Sequence, residues 1–356
     1  MPRQHPIPCR AARGFTLVEL MVGLAVGLFV SVIAISLFVS TRKLQTVNSA
    51  GNRMAENARL ALDLLHKDLR LVGFRGCTGG YETSPTSVLA AGNGDFLVDA
   101  NGIRGHRGNG GGFSPPLSGA LAGADPLPSF NSDVVSVRVP ADAVSLGLET
   151  SMPTRFAAPT VGVNTNGANL ITRGDIVLMA NCKSAVLFQV TDPAAGVLSH
   201  AVGGGLSPGN ASLNLGVAYN RADTAIYRMQ TRHYYVAPSV DRPGTNSLWR
   251  LTVPGPAGAA QVLDEVVPGV DGLKIRYGIE TDTASDRAAD RYVTAGTVTD
   301  WNNVLSARIE MLTATTDDGT ARAASSVQFA GGTVVGTDRR LREVFTEVIS
   351  FRNQTP

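Results

Sequence analysis

Hydrophobic residues are concentrated in one stretch near the start of the chain. Residues 15–41 contain a single charged side chain, Glu19, and the next charge is Arg42. A run of about 20 apolar residues is long enough for an α-helix to cross the hydrocarbon core of a bilayer. The pattern therefore predicts a membrane-spanning helix over residues 15–41, with one acid at its start.

Glu19 is a candidate functional residue because an unpaired carboxylate is costly to bury in such a span. It is expected to meet a positive charge that also lies in lipid, and the sequence shows no other purpose for its charge. The alternative is an ordinary membrane anchor with one misplaced acid near its end.

The helical pattern continues beyond the span. No proline occurs between Phe15 and Pro85, and apolar residues recur in the steps of three and four that mark one face of an α-helix. These positions are Leu44, Val47, Gly51, Met54, Ala58, Ala61 or Leu62, Leu65, Leu69 and Val72. They predict one helix from about residue 16 to about residue 72, about 85 Å long, whose second half (42–74) is amphipathic.

Residues 75–356 are predicted to form one β-rich globular head, since a chain of this length can bury a single large core. The Gly- and Pro-rich segment 79–130 predicts an exposed, irregular insertion. Alternating patterns predict strands at 133–139, 175–180, 185–190, 227–235, 247–253, 273–277, 305–313 and 341–351. The expected fold class is α+β: a long N-terminal helix packed on an antiparallel sheet, with long loop insertions.

The residues before the apolar run are basic. Arg3, Arg10 and Arg13 occur without any acid, and Gly14 directly precedes the run. An ordinary secretory signal has its cleavage site after its apolar region. In this chain the apparent processing site precedes the apolar region.

The segment GFTLVE at 14–19 resembles the type IV prepilin signature of type IV pilins and of the pseudopilins of type II secretion. The resemblance implies a leader over residues 1–14, cleavage after Gly14 by a prepilin peptidase, and N-methylation of Phe15. It also implies that Glu19 pairs with the Phe15 amine of an adjacent subunit, which would fix the register between subunits. Thr16 is either a local helix cap or adds a hydroxyl contact.

Later segments resemble the PilW family of minor pilins, in an order that spans most of the chain. They are LRLVGFRGC at 69–77, GDIV at 174–177, LWRL at 248–251, VDGL at 270–273 followed by RY at 276–277, and FRN at 351–353. The resemblance implies a minor pilin in a tip complex that primes pilus assembly and supports adhesion and twitching motility. Its partners would be other minor and major pilins, a large tip adhesin and the inner membrane, with a periplasmic head that later becomes extracellular.

Two other function classes stay open. The first is a J-like pseudopilin of type II secretion, although the heads of that related family are usually shorter. The second is a membrane-tethered enzyme, for which the sequence offers no catalytic constellation.

The cysteines carry a further expectation. Cys9 would leave with the leader, so Cys77 and Cys182 remain. An even pair in an oxidising periplasm indicates a disulfide, which would stabilise the fold by about 4 kcal/mol through chain entropy. The alternative is two free buried thiols.

The sequence indicates no catalytic, metal or cofactor site and no nucleic-acid surface, since the net charge is only +2. Ser207 lies in a nucleophile-elbow pattern, but Pro208 has no N–H for an oxyanion, so 203–210 is predicted to be a turn. Ser40 and Lys43 match a Ser-x-x-Lys pattern only at the expected membrane exit. His66, His106, His200 and His233 lack metal-ligand spacing, and Asp282, Asp286 and Asp290 are interpreted as solvated acids rather than calcium ligands.

Overall fold

A single helix, α1 (Leu17–Leu69), forms the first part of the described chain. The computed structural model describes residues 16–77, 85–90, 101–141, 145–162, 171–254, 260–281 and 286–354. The chain divides into two compact units, Met1–Gly51 and Asn52–Pro356, and α1 belongs to both. The helix predicted from about residue 16 to about residue 72 is thus present, with an end three residues earlier.

Several hydroxyl side chains within the apolar half of α1 bond to the helix itself. Ser31 Oγ donates to the carbonyl of Gly27 at 2.8 Å, and Thr41 Oγ1 donates to that of Leu37 at 2.9 Å. Such back-bonding leaves these hydroxyls no need of water. The segment therefore suits an apolar environment despite its serine and threonine residues.

The end of α1 differs from the prediction because the chain tightens before it leaves the helix. The N–H groups of Leu71 and Val72 donate to carbonyls three residues earlier, at 3.0 and 3.1 Å, which is the 3₁₀ spacing common at helix ends. Val72 is nevertheless fully buried. The apolar period thus continues through residue 72, although the α-helix ends at Leu69.

Most strands belong to one 11-stranded sheet. Its strands are β1 (Thr86–Ser87), β2 (Ile103–Gly108), β3 (Phe113–Ser114), β4 (Val134–Pro140), β5 (Leu146–Thr150), β6 (Thr160–Val161), β7 (Ile176–Ala180), β8 (Ala185–Gln189), β9 (Ala225–Pro238), β10 (Asn246–Pro254) and β11 (Val262–Pro268). β1 and β8 are parallel, and the other pairs are antiparallel. A four-residue helix, α2 (Gly119–Ala122), follows β3.

The long strand β9 joins the two halves of this sheet. Its first residues pair with β7 on one edge and β5 on the other, and its later residues pair with β10 and β4. β10 follows β9 in an antiparallel hairpin, with Asn246 opposite Pro238. The strands predicted at 227–235 and 247–253 are thus present, and they pair with each other.

A second sheet has four antiparallel strands in the order β13 (Arg291–Thr294), β12 (Val270–Ile279), β14 (Val304–Ala314) and β17 (Arg342–Ser350). Between β14 and β17 the chain forms a separate hairpin of β15 (Ser326–Phe329) and β16 (Gly332–Val335). Three 3₁₀ turns cover Ala194–Gly196, Ala295–Thr297 and Trp301–Asn303. The predicted α+β class with an antiparallel head is confirmed.

The main core forms where both sheets meet the second half of α1. From Met54 onward the predicted apolar face of the helix is buried, and it packs against side chains of both sheets. Examples are Val137 on β4, Tyr234 on β9, Ile275 on β12 and Ile309 on β14. A separate core lies around β7 and β8 and the segments near residues 150 and 215–219.

The expectation that residues 79–130 form an exposed, irregular insertion is wrong for part of that range. Strand β2 pairs with β4 inside the large sheet, and Ile103 is fully buried in the main core. A glycine is needed at position 105 because a Cβ there would lie 2.6 Å from Cζ of Tyr277. Glycine in this strand therefore reflects close packing rather than a loop.

We expect Leu65→Ala to lower the free energy of unfolding by about 2 to 5 kcal/mol, because Leu65 is fully buried in the main core. The matched control is Leu60→Ala on the same helix, where the side chain is 48% exposed and the loss should stay within about 0.5 kcal/mol. Denaturant unfolding followed by the fluorescence of Trp249 and Trp301 measures both. If both variants lost the same free energy of unfolding, the packing of α1 described above would be contradicted.

Candidate functional site

The start of α1 is closed by a reciprocal pair of side chains. Thr16 directly precedes the helix, and its backbone N–H and its hydroxyl both donate to Oε2 of Glu19 at 3.1 Å. In return, the N–H of Glu19 donates to the Thr16 hydroxyl at 3.3 Å. This is a capping box, in which two otherwise unsatisfied N–H groups find partners.

Glu19 therefore has a local purpose that the sequence analysis missed. The Thr-x-x-Glu spacing before an apolar run is the signal that could have revealed it. All three contacts involve Oε2 or the hydroxyl of Thr16, and no described residue donates to Oε1. One oxygen of the carboxylate thus remains available to a further donor. Gly14 and Phe15, the predicted cleavage and methylation positions, lie outside the described residues, as does the rest of the leader.

The helix surface beyond Glu19 is apolar and uncovered. The large apolar side chains from Leu17 to Val39 are between 44% and 75% exposed. By length and composition this part of α1 can cross a membrane. An apolar surface of this extent requires lipid or other helices around it.

Polar contacts fix the second half of α1 to the large sheet. Asp68, almost fully buried, accepts hydrogen bonds from Nη1 of Arg232 at 2.8 and 3.0 Å and from the hydroxyl of Tyr234 at 2.6 Å. Burial and the Asp68 carboxylate raise the pKa of Tyr234 well above its ordinary value. Because removing one partner would leave a buried charge unpaired, this network allows one register of helix on sheet.

A second set of contacts joins the end of α1 to the C-terminus of the described chain. Asn353 Nδ2 donates to the carbonyl of Val72 at 3.0 Å, and Arg75 Nη2 donates to the carbonyl of Asn353 at 3.0 Å. Gln354 Nε2 donates to Oδ1 of Asn101 at 2.8 Å. Residues 69–77 and 351–353, which are far apart in sequence, are thus brought together.

The structure also brings the two predicted cysteine partners together. Sγ of Cys77 and Sγ of Cys182 lie 3.4 Å apart, both as exposed free thiols. Partial burial and the neighbouring Cys182 thiol raise the pKa of Cys77 above its ordinary value. The short distance between the two sulfur atoms agrees with the predicted pairing. Both thiols are exposed, which differs from the alternative of two buried thiols. The disulfide itself stays a prediction.

The residues considered for chemistry have structural contacts instead. His66 Nδ1 lies 2.7 Å from Oε1 of Glu347 on β17, and His200 Nε2 lies 3.0 Å from the carbonyl of Leu213. His233 is buried next to the Ser136 hydroxyl at 2.6 Å, and burial lowers its pKa to about 3. His233 is therefore neutral and sealed from solvent, as expected of a packed residue.

The predicted turn and two of the acids considered for calcium also have defined places in the structure. Residues 203–210 form the predicted turn. Asp286 accepts from the N–H of Ala288, and Asp290 accepts from the Thr281 hydroxyl at 3.0 Å, while Asp282 lies outside the described residues. Within the described ranges no three His, Cys, Asp or Glu side chains are grouped to hold a metal ion.

Comparisons with known proteins match the two parts of the chain separately. Residues 9–35 match the prokaryotic N-terminal methylation motif, and residues 233–353 match the family model of PilW, the type IV pilus-assembly protein W. Over these two segments the chain is similar to the prepilin methylation motif and to the type IV pilus-assembly protein W family. Among solved structures, a type IV-like pilin from Thermus thermophilus is similar, with a TM-score of 0.31 and 10% identity over 85% of this chain and 99% of that chain. A search of curated protein sequences finds no match.

The PilW match covers most of the strands that hold α1 in place. Arg232 immediately precedes the matched segment, and Tyr234, Glu347 and Asn353 lie within it. Sequence reasoning missed the Asp68 network, although a signal was present. Asp68 interrupts the apolar face three residues after Leu65, and a lone acid on such a face requires a buried partner.

We expect Cys77 and Cys182 to be recovered as one disulfide-linked peptide pair when protein exposed to the periplasm is digested without reductant, because their sulfur atoms already lie close together. Cys77→Ser and the double variant with Cys182→Ser should then be destabilised equally, by up to about 4 kcal/mol. Recovery of both cysteines as free thiols would refute the bond. If the double variant instead lost as much unfolding free energy as the two single variants combined, the two cysteines would be independent thiols.

Proposed function

We propose that this protein is a minor pilin of the PilW family and acts in a tip complex that primes type IV pilus assembly and supports adhesion and twitching motility. The observation that carries the proposal is the first half of α1, which is apolar on all sides, uncovered by the described chain, and begins with an acid. Such a helix can reside in a bilayer before assembly and then pack into a bundle of similar helices in the filament. The prepilin motif matched at residues 9–35 supports the same sequence of events.

Processing creates the second half of the assembly site. Cleavage after Gly14 by a prepilin peptidase would make Phe15 the N-terminal residue, and methylation would leave its amine charged. That amine would precede Thr16 by one residue, at the positive end of the helix dipole. A carboxylate from a neighbouring subunit complements both charges.

The capping box and the pair between subunits can coexist. Glu19 uses Oε2 toward Thr16 of its own chain, and Oε1 is available for the Phe15 amine of an adjacent subunit. One oxygen of Glu19 would then cap its own helix, while the other would fix the alignment with the adjacent subunit. Thr16 acts as the local cap in this arrangement.

The second half of α1 is attached to the head by polar contacts. Asp68 of the helix binds Arg232 and Tyr234 of β9, and Asn353 donates to the carbonyl of Val72 just after the helix. Other minor pilins, major pilins and a tip adhesin are the proposed partners of that head, which is periplasmic before assembly and extracellular afterwards.

We expect Glu19→Gln to reduce incorporation into filaments by about a hundredfold or more, because an uncompensated partner in a buried pair costs about 3 to 5 kcal/mol. Glutamine preserves the capping box, which accepts Glu or Gln at this position, so the variant removes the charge and keeps the helix start. Membrane insertion and Gly14 cleavage should stay nearly intact. The measurement is the ratio of protein in sheared pili to protein in membranes.

The matched control is Glu56→Gln, which removes an exposed carboxylate from the second half of the same helix and should leave the ratio unchanged. Equal recovery of Glu19→Gln and wild type in pili would show that the amine–carboxylate pair does not place the subunit. Absence of the wild-type protein from sheared pili would contradict the proposed function itself.

A further inference from the structure

The hairpin of β15 and β16 is separate from both large sheets. It forms a two-stranded sheet of its own, and neither strand pairs with a third strand among the described residues. Two-stranded hairpins are marginal in isolation, and open strand edges are usually protected by charged residues or proline. This hairpin contains neither: its strands read SVQF and GTVV.

The register identifies the groups that point away from the hairpin. Gly336 N donates to the carbonyl of Ser325 at 2.9 Å, so residues 325 and 336 form a hydrogen-bonded pair. In an antiparallel ladder such pairs alternate. Val334 therefore bonds within the hairpin, whereas the N–H and C=O groups of Thr333 and Val335 point outward along the free edge of β16. Val335 is also 67% exposed on its side chain.

A groove of about 790 Å³ borders this hairpin. Its lining includes Val334 and Val335 of β16, the following Thr337, and Asn109 and Asn131 from elsewhere in the chain. Of β15, only Phe329 reaches the groove, so the strand that borders it is β16. The volume lies within the range of sites that hold a ligand in proteins.

The charges at the groove are already compensated. Arg342 forms hydrogen bonds with Asp271 at 3.1 Å and with Asp338 at 2.6 and 3.0 Å. Lys274 Nζ lies 3.0 Å from Oδ1 of Asp133 and donates to the carbonyl of Gly108. The groove therefore offers no free charge to attract an ionic ligand.

Neutral hydrogen-bonding groups remain available. The side-chain amides of Asn131 and Asn246 face the groove region, and no hydrogen bond joins either amide to another described residue. Each amide can donate and accept. The outward backbone groups of Thr333 and Val335 add further neutral donors and acceptors on the hairpin.

We propose that the free edge of β16 binds an extended, uncharged segment of another protein chain by strand addition, which would make the hairpin three-stranded. Backbone hydrogen bonds to Thr333 and Val335 would supply the affinity, and the neutral groove would exclude charged segments. The inference relies on the proposed function only in expecting the donor to be another pilus subunit.

The test uses a photoreactive amino acid in place of exposed Thr337, in the full-length protein expressed in cells that assemble pili. The cross-linked product is digested and identified by mass spectrometry. We expect one cross-link, to an extended and uncharged segment of a different pilus subunit. In the same background, Val335→Pro removes the outward N–H and preserves the pair at Val334, so it should lower the cross-link yield about tenfold.

Val335→Ala is the matched control, because it shortens the side chain and keeps the N–H. Its cross-link yield should stay close to that of wild type, and the unfolding midpoints of both variants should agree if the head remains folded. Amide hydrogen exchange gives an independent measurement: the Thr333 and Val335 amides should exchange rapidly in purified protein and slowly in sheared pili.

The proposal is overturned by a cross-link to a second copy of this chain, by a cross-link within the chain, by the absence of any protein cross-link, or by equal exchange in the two preparations. Each of these results leaves recovery of the wild-type protein in sheared pili unaffected. The proposed function and this inference can therefore fail separately.

Discussion

The structure depends on one constraint: a single helix must suit an apolar environment along its first half and a folded head along its second. The change occurs within α1 without a break. The apolar residues up to Val39 are exposed on every side, whereas from Met54 onward one face is buried under two sheets. Both stretches belong to one helix, Leu17–Leu69.

Charge is sparse in the first half of this helix, and the acids Glu19 and Asp68 both have partners. Asp68 is matched by Arg232 and Tyr234, and Glu19 by the Thr16 cap and, in the proposed filament, by an amine from a neighbour. Buried charge pairs add little net stability but select one alignment over its neighbours. Asp68 therefore contributes register between helix and sheet, and in the proposed filament Glu19 would do the same between subunits.

The sequence was most informative where the pattern is local. The helix, its apolar face and the larger strands follow from periodicity, and the leader, Phe15 and Glu19 follow from a compact motif. Long-range features were harder to predict. The strand that contains Ile103 was not predicted, because the neighbouring glycines were interpreted as a loop. Gly105 instead allows close packing against Tyr277. The contacts of Asn353 with the end of α1 span 281 residues, and no local pattern encodes such a pairing.

The central claim is that α1 begins two residues after the proposed mature N-terminus at Phe15, so that an amine and a carboxylate would lie where adjacent helices meet. The intact mass of the protein extracted from membranes tests this most directly. We predict a chain that starts at Phe15 and carries one N-methyl group. A mature start beyond residue 35 would indicate ordinary signal-peptidase cleavage, and it would contradict the account by removing Glu19 and most of the apolar helix from the mature protein.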